Sequence, residues 1–182
     1  GVLNIHPSLL PLFRGPAPLQ YQILEDVPET GASIMLLDEE VDHGPILAQE
    51  RMPAALFSNM TGGELEVFLG KTGGKLLAKI LPSWIAGERE AVAQDHTRAT
   101  FTKRIKKEDG LIVLADNPRK NYLKFLAFNP WPGTYFFVDR RGKSVRLLIK
   151  SARFESGQFI IGKVIPESGK EMGYEDFLRG VT

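Results

Sequence analysis

Pro7, Pro11, Gly15, Pro16 and Pro18 stand within twelve consecutive positions near the start of this 182-residue chain. Proline fixes φ and has no backbone donor, so a strand entering this stretch ends at Pro7, and residues 7–18 form a loop. The preceding run, Gly1-Val2-Leu3-Asn4-Ile5-His6, has a β-type pattern. Asn4 and His6 are two apart, so both project from one face of that strand. The pair is thereby delivered to a strand's carboxyl end, where open α/β sheets hold ligands.

Further along, Ala17–Glu25 has the spacing of a short helix, with Leu19, Ile23 and Leu24 on its apolar face. Glu29-Thr30-Gly31 reads as a turn, Ala32–Leu37 as a second strand and Gly44–Glu50 as a third. Thr61–Ala86 is helical in spacing, and Gly70, Gly73 and Gly74 divide it into two helices or one bent one. The run Gly70-Lys71-Thr72-Gly73-Gly74-Lys75 has the wrong glycine spacing for a phosphate loop and lies inside that helical pattern. Residues 87–99 are polar and aperiodic, as in a linker. A helix is expected over Pro118–Phe128. A hairpin then joins Tyr135–Val138 to Val145–Lys150, with shorter strand patterns at 153–154, 159–161 and 162–165. Several short strands with turn punctuation suggest a small β-barrel.

Charge divides the chain where the linker falls. The net charge is +1, but residues 1–94 carry −6 and residues 95–182 carry +7. The expected domains are therefore 1–94 and 95–182, and the basic half points to a polyanion. The chain has no cysteine and three scattered histidines, which give no metal-ligand spacing and no disulfide framework. That usage fits a reducing cytoplasm. No apolar run approaches the ~20 residues of a membrane span.

Asn4, His6 and Asp42 supply an amide, an imidazole and a carboxylate, groups that can serve an acyl-transfer site. Each has a plainer reading. Asn4 can cap a turn, His6 can be a structural hydrogen-bonding residue, and Asp42 before His43-Gly44 can be ordinary turn chemistry. His43 and His96 receive no role. Trp131 can stack on a base, but set between two prolines it is expected to pack against the core.

The motifs add a resemblance. Asn4-Ile5-His6-Pro7-Ser8-Leu9-Leu10-Pro11, Phe13-Arg14-Gly15-Pro16-Ala17-Pro18, Glu29-Thr30-Gly31-Ala32-Ser33-Ile34-Met35 and Val41-Asp42-His43-Gly44-Pro45-Ile46-Leu47 occur in this order. Together they resemble the formyltransferase family that uses 10-formyltetrahydrofolate. Phe128-Asn129-Pro130-Trp131-Pro132-Gly133 resembles the C-terminal domain of the family's tRNA-acting members, although Leu126 stands where they often carry an arginine.

The resemblance implies an α/β fold: the C-terminal portion of a Rossmann-like catalytic domain, then a small OB-like barrel. It implies that further βα units precede Gly1, so that this chain is part of a longer protein. It gives Asn4, His6 and Asp42 catalytic roles. Ser8 and the loop Leu37, Asp38, Glu39, Glu40 and Val41 are implied to contact the folate donor, and no metal is implied. The implied acceptor is the amino group of methionyl initiator tRNA. Lys103, Arg104, Lys106, Lys107, Arg140, Arg141 and Lys143 are the candidate tRNA contacts, with Arg119, Lys120 and Lys124 as further basic residues. Two alternatives stay open: a nucleotide-linked amino sugar as acceptor, and a non-catalytic RNA-binding fragment.

Overall fold

The computed structural model describes residues 1–140 and 142–180 and divides into two compact units, Gly1–Arg104 and Ile105–Thr182. The first unit therefore runs on past the 94/95 boundary that charge suggests. Its last ten residues are tied into it by backbone bonds: Arg14 N–H donates to the Thr100 carbonyl and Thr102 N–H to the Arg14 carbonyl.

In the first unit, β1 (Leu3–His6), β2 (Glu29–Leu36) and β3 (Ile46–Pro53) form one antiparallel sheet in that order. The Rossmann-like expectation is thus met only at the level of a mixed α/β unit, because none of these strands pairs in parallel. The turn expected at Glu29–Gly31 is the start of β2, since a partner strand supplies the ladder that local propensity does not. Between β1 and β2 lies α1 (Pro18–Leu24), with proline at its first turn, where a missing donor costs nothing.

Helix α2 (Gly62–Ile85) is continuous over 24 residues. Its start is fixed by a capping box: Thr61 N–H donates to Glu64 Oε2 at 2.8 Å, and Glu64 N–H returns to Thr61 Oγ1 at 3.3 Å. Leu65, Leu69, Gly73, Leu76 and Ile80 form its buried stripe, and Leu76 and Ile80 pack on Ile34 and Leu47 of the sheet. Of the two readings at the glycines, two helices or one bent one, the structure rules out the first. Gly73 is a contact point, because a Cβ there would lie 2.3 Å from Ile5 Cγ2. This contact also orients β1: Ile5 faces α2, so Asn4 and His6 face away from it.

In the second unit, α3 (Pro118–Ala127) precedes an antiparallel meander of β4 (Thr134–Arg140), β5 (Lys143–Glu155), β6 (Gln158–Pro166) and β7 (Met172–Gly173). The short strand patterns at 153–154, 159–161 and 162–165 merge into β5 and β6, and register shifts at Ile149–Ala152 mark bulges that bend β5. The short helix α4 (Tyr174–Arg179) follows. Among the described residues the sheet does not close on itself, so the unit is an open sheet with helices. Its interior holds Leu123, Phe125, Phe136, Leu147, Ile149 and Val164. No helix among the described residues is long and apolar enough to cross a membrane.

Candidate active site

His6 ends β1 with its ring enclosed between two loops. Nε2 meets the Phe13 carbonyl at 3.1 Å, and Nδ1 lies 3.5 Å from Asp42 Oδ1. A carbonyl only accepts, so the hydrogen sits on Nε2 and the neutral ring turns a bare Nδ1 toward Asp42. Asp42 is held in turn by the Gly15 N–H, which donates to Oδ2 at 2.7 Å.

Both residues that face the ring carry left-handed backbone, Phe13 at φ 61° and Asp42 at φ 50°. Non-glycine residues rarely occupy this region, and such strain persists where surrounding contacts enforce it. The enforcing contacts come from residues 94–102. Thr100 Oγ1 accepts from Phe13 N–H at 2.8 Å, and Gln94 Nε2 donates to the Asp42 and Gly44 carbonyls at 2.9 and 2.7 Å. Gly44 itself must be glycine, because a Cβ would lie 2.0 Å from the Leu36 carbonyl oxygen.

Burial holds the His6 imidazole below the ordinary histidine value. The Asp42 carboxylate and the Phe13 carbonyl push it back up, and the Arg14 charge adds to the lowering. Burial prevails, so the ring is neutral near pH 7 and the Asp42 contact becomes an ion pair only when the ring gains a proton. An NMR titration of His6 is expected to give a midpoint below about 6.5. Asp42→Asn should lower it further, because the group that raises it is removed. The unfolded ring takes up its proton at higher pH than the folded one. The His6 contribution to stability is therefore complete above the unfolded value and is lost as pH falls toward the folded value. A midpoint that rises in Asp42→Asn contradicts this picture.

Asn4 is half-buried, and among the described residues its side-chain amide makes no hydrogen bond. Its backbone pairs with Met35 and that of His6 with Ser33. The amide and the imidazole therefore lie on one sheet face, with the amide free to bond to something else.

Arg14 and Gln94 carry a role that the sequence reading did not find. Arg14 is only 3% exposed. Its Nε and Nη2 donate to Gln94 Oε1 at 3.2 and 2.7 Å, and Nη2 also contacts His96 Nδ1 at 2.9 Å. His96 stacks on His43 with centroids 4.0 Å apart, and His43 Nδ1 meets Asp38 Oδ2 at 2.7 Å. A chain of contacts thus runs from the loop of residues 37–41 to the back of Asp42. Both histidines left without a role belong to it. Arg14 lies in the stretch Phe13-Arg14-Gly15-Pro16-Ala17-Pro18 that carries the resemblance; nothing local marks Gln94.

The loop Leu37–Val41 is exposed throughout, with the apolar Leu37 and Val41 uncovered. Ser8 differs from expectation. It is fully buried and its hydroxyl donates to the Leu12 carbonyl at 2.6 Å, so its side chain shapes the loop instead of meeting a ligand. Two cavities of this unit, about 330 Å³ beside Ala55–Met60 and about 280 Å³ beside Met52 and Leu76, include none of the candidate residues.

Of the candidate tRNA contacts, Lys103 and Arg104 belong to the first unit, and Lys106, Lys107, Arg140 and Lys143 to the second. All six are exposed. Arg140 is partly committed, donating to the Gly180 carbonyl at 2.8 Å and lying over the Phe177 ring. Arg141 lies outside the described residues. Among those described, no cluster of His, Asp or Glu is arranged to hold a metal ion.

The formyl transferase family model matches residues 1–81, and the model of the formyl transferase C-terminal domain matches residues 104–165. The chain belongs to the formyl transferase family. Among relatives of this formyl transferase chain, the methionyl-tRNA formyltransferase of Chloroflexus aurantiacus is 43% identical over 169 residues, covering 93% of this chain and 53% of that protein. The chain spans about half the length of the curated relatives it matches. Two solved structures share the fold. Methionyl-tRNA formyltransferase from Clostridium thermocellum gives a TM-score of 0.68 at 20% identity, covering 91% of this chain and 68% of its own. HypX from Aquifex aeolicus in complex with tetrahydrofolic acid gives 0.71 at 16%, covering 98% and 35%.

Proposed function

We propose that the full-length protein transfers the formyl group of 10-formyltetrahydrofolate to the amino group of methionyl initiator tRNA, in the cytoplasm, at translation initiation. The observation that carries this reading is an uncommitted amide, Asn4, beside a neutral buried imidazole that is backed by a carboxylate. The acceptor follows from the names of the relatives and from the basic C-terminal half.

The amine nitrogen attacks the formyl carbon, and negative charge grows on the carbonyl oxygen. The Asn4 amide donates to that oxygen, in a position where stabilisation acts on the transition state. The attacking nitrogen must also lose a proton. Side-chain exposure orders the acceptors: Asp42 retains 14% and His6 5%. Asp42 therefore receives the proton first, directly or through water, and His6 Nδ1 lies behind it to take the charge as an imidazolium facing a carboxylate. Collapse of the tetrahedral species breaks the bond to the folate nitrogen, which recovers a proton.

The exposed loop Leu37–Val41 fits the donor. Its backbone groups suit the edge of a pterin ring, and Leu37 and Val41 offer apolar cover. The bent antiparallel meander of residues 105–180 and its charge support an OB-like, RNA-gripping role, with Lys103, Arg104, Lys106, Lys107, Arg140 and Lys143 on phosphates.

The test is labelled formyl transfer by the full-length protein to methionyl initiator tRNA, with a nucleotide-linked amino sugar as competitor. Label in the tRNA supports the reading. Label in the sugar keeps the chemistry and overturns the acceptor, and label in neither overturns the activity.

A further inference from the structure

Two aromatic features depart from expectation. Trp131, expected in the core, is 53% exposed, and a single exposed apolar ring is ordinary. The other feature is a built arrangement. His43 and His96, far apart in sequence, stack with centroids 4.0 Å apart and planes 4° from parallel. Each ring is also held at its Nδ1. The Arg14 guanidinium only donates, so His96 Nδ1 accepts from Nη2 at 2.9 Å. The Asp38 carboxylate only accepts, so His43 Nδ1 donates to Oδ2 at 2.7 Å. That bond holds the Asp38 carboxyl below its usual range. The other oxygen, Oδ1, accepts from the Glu40 N–H at 3.1 Å, inside the loop itself.

The two ends of this chain of contacts differ in what fixes them. Arg14 is buried and is bound twice by Gln94. The loop Leu37–Val41 is exposed, and its backbone has to keep one shape to match the edge of a flat ring. An exposed ion pair such as Asp38–His43 holds little by itself, because both side chains can turn into water. Here the His43 ring is restrained: the His96 ring lies flat on it, and His96 is tied to the buried guanidinium. The loop therefore takes its order from the interior. A loop that is already ordered binds more tightly than one that must be ordered on binding.

We propose that His43 and His96 are positioning residues for the formyl donor, their stack holding the loop Leu37–Val41, through Asp38, in the shape that takes the pterin. They act through Asp38 and need no contact with the donor. The inference rests on the reading that this loop holds the donor, and it adds what holds the loop.

The experiment measures binding of 5-formyltetrahydrofolate, a stable isomer of the donor, to the full-length protein by titration calorimetry. His43→Asn keeps a donor for Asp38, and His96→Asn keeps an acceptor for Arg14, while each removes the stack. Each is expected to raise Kd about fivefold, the usual worth of one ring pair. The double variant should match the weaker single one, because both changes remove the same contact, whereas independent sites would multiply to about twenty-five-fold. In turnover the loss should fall on KM for the donor, with KM for the acceptor as in the unsubstituted protein. Matched melting temperatures will show that the variants are folded. Variants that bind the folate as tightly as the unsubstituted protein, or whose effects multiply, overturn the role of the stack while the donor reading stands. An equal rise in both KM values makes the stack merely structural and overturns it too. If the unsubstituted protein binds no folate, the donor reading falls and this inference falls with it.

Discussion

Asn4→Ala in the full-length protein is expected to lower kcat for formyl transfer about 10²–10³-fold, with KM for the acceptor nearly unchanged. That is the usual loss when one donor to a developing oxyanion is removed. The side chain suits that use because it has no other: among the described residues it makes no hydrogen bond, and it shares the His6 face of β1. For the same reason its removal should be nearly silent in stability, within about 0.5 kcal/mol. Asn4→Asp sharpens the test. It keeps the shape but places a carboxylate where negative charge must grow, so it should fall below Asn4→Ala. Single-turnover kinetics on both variants decide the matter. A raised KM at constant kcat would mean that Asn4 binds the ground state, and the oxyanion role would be lost.

The elements legible in the sequence are those whose determinants are local. Pro7 ends β1 after His6 because a missing donor acts on its own ladder, and Pro18 and Pro118 begin α1 and α3 for equally local reasons. The β4–β5 hairpin follows from alternation around Asp139–Lys143. The failures concern partners distant in sequence. Gly73 looks like a helix breaker until Ile5 is seen against it. Gln94 looks like linker because its four hydrogen bonds go to residues at least fifty positions away. Trp131 looks like core because its type prefers burial, yet nothing in composition tells which face of a turn is covered. The candidate catalytic residues were legible because a strand end and a loop carry them. What positions them was not, because that work falls to a segment with no pattern of its own.

Gln94→Ala is expected to cost roughly 3 kcal/mol of stability and to lower kcat about 100-fold, without touching substrate. The stability term follows from what the amide leaves behind. Arg14 is buried and keeps its charge, and Gln94 Oε1 receives both its Nε and Nη2. Removing the acceptor leaves the buried cation with only its His96 hydrogen bond among the described residues, while the Asp42 and Gly44 carbonyls lose their donor. The rate term follows from Asp42, whose left-handed backbone is held through that same carbonyl. Once released, the residue relaxes toward ordinary φ, and a displacement of about 1 Å at a catalytic group costs about 10² in rate. Gln94→Glu separates the two terms. A carboxylate keeps, and strengthens, the bond to Arg14, but it has no hydrogen to give to the two carbonyls. This variant should therefore recover much of the stability and little of the rate, with the His6 titration midpoint displaced because Asp42 no longer faces Nδ1 at its native distance. Thermal unfolding, steady-state kinetics and the His6 titration on both variants provide the check. Full activity in Gln94→Glu would show that the Arg14 contact alone positions Asp42, and that the amide's grip on the loop is dispensable.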